Sequence, residues 1–158
     1  MRKTQLIKKT ILTICVILIV ILSFFIYSAY RFFNPVPLLI KDSNSISSAM
    51  YGSFGIIDFG VPQSLANVYE YDSRELFADE FLRFSITNNK EYMSFKYDLL
   101  KRLEPQQAQF PANYSKRDME RIERWWTPPV SDAYKLSHYY IGFDDNSQTV
   151  YFYDKCSD

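Results

Sequence analysis

Apolar positions along this chain follow different rules in different stretches. From Thr10 to Tyr30, TILTICVILIVILSFFIYSAY has no charged residue and is broken only by Thr13, Ser23 and Ser28. About twenty residues at roughly 1.5 Å rise span about 30 Å, the hydrocarbon thickness of a bilayer. In lipid the backbone must satisfy its own hydrogen bonds, so a helix is the single-segment solution even for Ile- and Val-rich sequence. Further on, EFLRFSIT (80–87) alternates, with Leu82, Phe84 and Ile86 on one face and Arg83 and Ser85 on the other, the mark of a half-buried strand. GSFGIIDFG (Gly52 to Gly60) reads as another strand, with glycines marking a bulge or turn, then VPQS as a turn and NVYEYD as a short strand.

Helical spacing replaces alternation after Thr87. Asn88 can cap a helix, and Glu91, three residues on, completes a capping-box pattern. Tyr92, Phe95, Leu99 and Leu103 then form an apolar stripe, and Pro105 ends the helix. A second helix is expected from Ser115, with Asp118 in the capping position and Met119, Ile122 and Trp126 on one side, stopped by Pro128 and Pro129. The C-terminal stretch KLSHYYIGFDDNSQTVYFYDK reads as a hairpin. Leu136, His138, Tyr140 and Gly142 face one way and Tyr139, Ile141 and Phe143 the other; in the return strand Val150 and Phe152 alternate with Thr149, Tyr151 and Tyr153. Both faces therefore carry rings, although one helical layer covers only one face. The expected architecture is α+β: an N-terminal transmembrane helix, then a small antiparallel sheet with two helices packed on one face.

The apolar N-terminal segment fits an uncleaved anchor over residues 10–33, in contact with the lipid bilayer. A cleaved signal needs a small-residue site, and near Ser28 and Ala29 the upstream Ile26 and Tyr27 are too large. A lipoprotein signal fails because Cys15 follows Ile14 in mid-span. A buried soluble helix would be shorter and carry a polar stripe. Arg2, Lys3, Lys8 and Lys9 precede the segment, whereas Arg31 is the only nearby cation after it until Lys41. The positive-inside bias then keeps residues 1–9 in the cytoplasm and sends the rest to a periplasm or cell exterior, across the inner (cytoplasmic) membrane. Residues 34–48, with Pro35, Pro37 and a Ser- and Asn-rich run, read as a stalk, and 49–158 as the extracytoplasmic domain.

Charge sharpens this division. The chain balances 18 basic against 18 acidic residues, but beyond Arg31 the balance is 13 basic to 18 acidic. A mildly acidic domain is a poor nucleic-acid binder, because phosphate neutralisation supplies most of that affinity. Cys156 is an odd thiol that can cross-link two chains into a disulfide-linked dimer, although an unpaired tail residue is the simpler reading.

Catalytic and cofactor chemistry finds little support. His138 is the only histidine, so a His/Cys metal site lacks partners, and no GxSxG elbow accompanies it as a hydrolase base. Its place in an expected strand suits a structural role. Asp144-Asp145 belong to the turn DDNSQ, and with four glycines no phosphate loop is built. No catalytic residue, metal site or cofactor is expected, and the chain does not read as an enzyme. Candidate partner contacts are the hairpin rings Tyr139, Tyr151 and Tyr153, the segment WWTPP with Trp125 and Trp126, and a basic stripe of Arg117, Arg121 and Arg124. The bland alternatives are an open tyrosine face tolerated through its hydroxyls and a solvated helix face partly neutralised by Glu120 and Glu123. Trp and Tyr enrichment at interfaces favours contact, with Trp125, off the buried stripe, as the leading anchor.

This arrangement resembles a loose group of small signal-anchored bacterial exported proteins of uncharacterised function. The matching residues are Trp125, Trp126 and Pro128, then Tyr139 to Asp144 and Thr149 to Asp154, about the last third of the chain. The resemblance implies an anchored envelope setting and, by likeness of build, an immunity- or inhibitor-like interaction with an envelope protein. Two other roles stay open: a module binding cell wall or a small ligand through aromatic stacking, and an envelope hydrolase.

Overall fold

A computed structural model of the chain describes residues 2–33, 36–54, 59–73, 79–111 and 128–155. It divides into two compact units, Met1–Val36 and Pro37–Asp158. The first unit is one helix, α1 (Arg2–Phe33). Its portion Ile11–Phe33, 23 residues, is long and apolar enough to cross a membrane, and its side chains are exposed throughout. Within it, the Thr13 hydroxyl donates to the Lys9 carbonyl at 3.0 Å, which removes an unpaired donor from an apolar surface.

The second unit is α+β. Its elements are β1 (Leu38–Ser43), α2 (Ser48–Ser53), β2 (Leu65–Asp72), β3 (Asp79–Ile86), α3 (Asn89–Leu103), β4 (Gln106–Gln107), β5 (Asp132–Leu136), β6 (Tyr139–Asp144) and β7 (Thr149–Lys155). The strands form one seven-stranded sheet in the order β1-β2-β3-β7-β6-β5-β4, with every neighbouring pair antiparallel. The centre is the β3–β7 pair, in which Leu82 lies opposite Phe152 and Phe84 opposite Val150.

The alternation expected for β3 and the last two strands holds. Leu82, Phe84 and Ile86 share a core with Tyr139, Ile141, Phe143, Val150 and Phe152, and α2 and α3 bring Met50, Tyr92 and Leu99 to the same face. The side-chain period of a strand forces this sorting, and each large ring buried contributes roughly 1.5–3 kcal/mol. Phe59 stacks on Phe152 with ring centroids 5.0 Å apart. On the opposite face Tyr71, Phe81, Tyr151 and Tyr153 form a second buried cluster, with Phe110, Val130 and Tyr140 packed against it. Each face thus has its own apolar layer, which answers why both carry rings.

Helix α3 starts where expected. Asn88 caps it, its side chain accepting from the backbone N–H of Lys90 and Glu91. The other half of the capping box is rerouted: the Glu91 carboxylate accepts from the Gln63 and Ser64 backbone N–H groups and the Ser64 hydroxyl, while Ser64 Oγ accepts from Asn88 N at 3.1 Å. The helix start is thereby tied to the turn before β2. Its end is a left-handed Glu104 (φ 48°, ψ 45°) whose N–H returns to the Leu100 carbonyl.

Other expectations are corrected. Leu38–Ser43, assigned to the stalk, is the edge strand β1, paired with β2 from Leu38 opposite Asp72. A Ser- and Asn-rich stretch looks like linker, but LLI supplies a half-buried strand once β2 offers a partner edge. The start of GSFGIIDFG is not strand either: Gly52 and Ser53 end the helix α2, capped by the Ser47 side chain. Residues 55–58 of that run lie outside the described residues. The helix expected from Ser115 also lies outside them, and the second helix observed on the face is α2. Finally, Leu136 to Phe143 is not one strand. Ser137 and His138 form a two-residue turn between β5 and β6.

Candidate functional site

The hairpin rings proposed as a contact surface are buried. Tyr139, Tyr151 and Tyr153 retain 3%, 4% and 2% of their accessible surface. Tyr139 belongs to the helix-covered core and packs on Phe54 at 5.8 Å. Tyr151 and Tyr153 lie in the second layer, where the Tyr153 hydroxyl donates to Asp79 Oδ2 at 3.1 Å and burial raises the Tyr151 phenol above its ordinary pKa. These three residues are corrected from partner contacts to core. Trp125, Trp126, Arg117, Arg121, Arg124 and Cys156 lie outside the described residues.

One polar cluster joins α3 to the far half of the sheet. Lys96 Nζ reaches Asp132 Oδ2 at 2.6 Å and Asp145 Oδ1 at 2.8 Å, and the Tyr92 hydroxyl donates to Asp145 Oδ1 at 2.7 Å. Burial alone would lower the Lys96 pKa, but the hydrogen bonds to Asp132 and Asp145 leave it raised. For Asp145, burial pushes up while Lys96 and Tyr92 pull down harder, so its carboxyl is held below the usual range. A lysine kept charged and fully engaged is a clamp, not a base or nucleophile. Glu70 is a second buried carboxylate, with no exposed surface. Its Oε1 accepts from Ser47 N at 2.6 Å and so supports the start of α2.

A concave site with exposed polar chemistry lies at the β5–β6 turn. Strand pairing brings Leu136 opposite Tyr139 and Lys135 opposite Tyr140, and Ser137 takes a left-handed backbone (φ 56°) to close the turn. A cleft of about 320 Å³ opens there, lined by Lys135, Ser137, His138, Tyr140 and Lys155. His138 Nε2 lies 3.4 Å from Asp154 Oδ1, whose side chain is 6% exposed against 41% for the imidazole. On its other side, Nδ1 is 3.3 Å from the Ser137 hydroxyl. Lys155 N donates to the His138 carbonyl at 3.4 Å, tying the end of β7 to the turn. The Lys135 ammonium sits 5.1 Å from the centre of the Tyr140 ring.

Ser137, His138 and Asp154 stand in the order of a nucleophile, a base and an orienting acid. Both separations exceed the roughly 2.6–3.2 Å over which such groups pass a proton. Ser137 and His138 are also chain neighbours in one turn, and the imidazole shares the cleft lining with Lys135 and Lys155. Among the described residues no group of three or more His, Cys, Asp or Glu could hold a metal ion. A smaller cleft of about 190 Å³ lies along α3, lined by Phe59, Gly60, Phe95, Asp98, Leu99 and Arg102.

No family model, curated protein or solved structure matches this chain. The site therefore rests on its own geometry. Sequence reading singled out His138 but placed it in a strand, because Ser-His lacks the Gly, Asn or Pro that usually marks a tight turn. Lys135 and Lys155 went unnoticed: they are 20 positions apart in sequence and meet only through the register of β5, β6 and β7.

Proposed function

We propose that this chain is a single-pass membrane protein whose C-terminal domain is a protein-interaction module outside the cytoplasm, in the manner of an immunity or inhibitor protein of the cell envelope. The observation that carries the reading is the exposed apolar helix Ile11–Phe33 ahead of a separately compact α+β unit. Arg2, Lys3, Lys8 and Lys9 before that helix, against Arg31 alone just after it, favour a cytoplasmic N-terminus. With the hairpin tyrosines committed to the core, the partner contact is assigned to Trp125 and Trp126 and to the arginines at 117, 121 and 124. Tryptophan and arginine are the residue types that most often dominate binding energy.

Cross-linking followed by affinity capture of the full-length chain from its native membranes tests the reading. The wild type is expected to bring down a distinct envelope protein, and Trp125→Ala to reduce its recovery about tenfold or more. Equal recovery with Trp125→Ala and with Arg121→Ala would remove the assigned surface.

A further inference from the structure

The cleft at the β5–β6 turn stands out against the rest of the domain. Beyond Arg31 the chain carries 13 basic and 18 acidic residues, yet the residues lining this cleft include two lysines and a histidine and no carboxylate. Asp154, 3.4 Å from the imidazole of His138, is buried. We propose that this cleft binds a phosphate-bearing ligand.

The donor set suits that chemistry. An ammonium group offers three hydrogen-bond donors and no acceptor, and the Ser137 and Tyr140 hydroxyls can turn their hydrogens toward an anion. Lysine is an established phosphate binder, acting as a compact, strongly hydrated point charge. The parts are also held in place before a ligand arrives. Lys135 rests on the Tyr140 ring, Tyr140 stacks on buried Tyr153 at 5.9 Å, and His138 is fixed between Ser137 and Asp154. Little side-chain freedom is then lost on binding. A volume of about 320 Å³ is at the small end for ligand pockets, enough for a phosphate with a modest substituent or the head of a larger molecule. The site uses none of the residues assigned to the protein partner, so either reading can fail without the other.

The phosphate has two possible sources, a free phosphate compound or a lipid headgroup, and the experiment separates them. The full-length protein in phosphatidylcholine nanodiscs is titrated with inorganic phosphate, and separately with soluble short-chain phosphatidic acid, each against chloride at equal ionic strength. Calorimetry reads binding, and thermal unfolding of each variant checks its fold. Saturable binding in either arm is expected; the arm that binds names the source, and binding in both marks a general phosphate site. Lys135 is exposed, so Lys135→Gln keeps the fold and is expected to weaken binding about tenfold, while Lys135→Arg restores most of it. No binding above the chloride control in either arm, or undiminished binding by Lys135→Gln, overturns the proposal.

Discussion

A methyl group on Gly142 would lie 2.6 Å from Val130 Cγ1 and 2.9 Å from Phe110 Cδ2. The glycine therefore serves close approach: it lets the second apolar layer settle directly on the backbone of β6. Gly142→Ala is expected to cost about 1–3 kcal/mol by forcing Phe110 and Val130 outward. The urea midpoint of the full chain in detergent micelles reads this, and an unchanged midpoint would mean that layer is not seated on β6. Which way Gly142, Tyr151 and Tyr153 face was legible from alternation alone. What covers them was not, because the covering groups come from Phe110 and Val130, distant in sequence and too few to show a period. The same limit explains Ser137. Its left-handed conformation is imposed by the pairing on either side of the turn, and nothing in its side chain announces it.

At the scale of elements, α3 shows local signals at their strongest and weakest. Its cap, its apolar stripe and its end were all readable, since each depends on residues within a few positions. The Lys96 clamp was not, because Asp132 and Asp145 lie 36 and 49 positions away. Replacing Lys96 with Met leaves two carboxylates facing each other without their cation, and should cost about 2 kcal/mol at pH 7. Asp145 has a folded-state pKa below its unfolded value, so its contribution is present above the unfolded value and lost as pH falls through the folded one. The gap in urea midpoint between wild type and Lys96→Met should accordingly shrink below about pH 4. A gap of equal size at pH 3 and pH 7 would show that Lys96 acts through its packing instead. The misread start of the run at 52–60, Gly52 to Phe54, illustrates another limit: short apolar stretches beside glycines do not distinguish a strand from a turn of helix.

For the whole molecule, the α+β class and the long apolar N-terminal helix ahead of a compact unit were legible, because both follow from patterns over long windows. The strand order was not. Its central junction pairs β3 with β7, Ser85 opposite Thr149, and no local pattern encodes a pairing across that distance. The edges of the sheet are short or irregular, with β4 only two residues long and β1 shifting register between Ile40 and Ser43, features that discourage strand-to-strand aggregation. The proposed placement of this domain is outside the cytoplasm, tethered by the helix Ile11–Phe33. Protease treatment of intact cells expressing the full chain with a tag after Asp158 tests that placement most directly. The account predicts that external protease removes the tagged domain, leaving the N-terminal fragment through about residue 36 in the alkali-washed membrane pellet. A tagged domain that resists digestion until the cells are opened, or a full-length chain released by alkaline extraction, would contradict it.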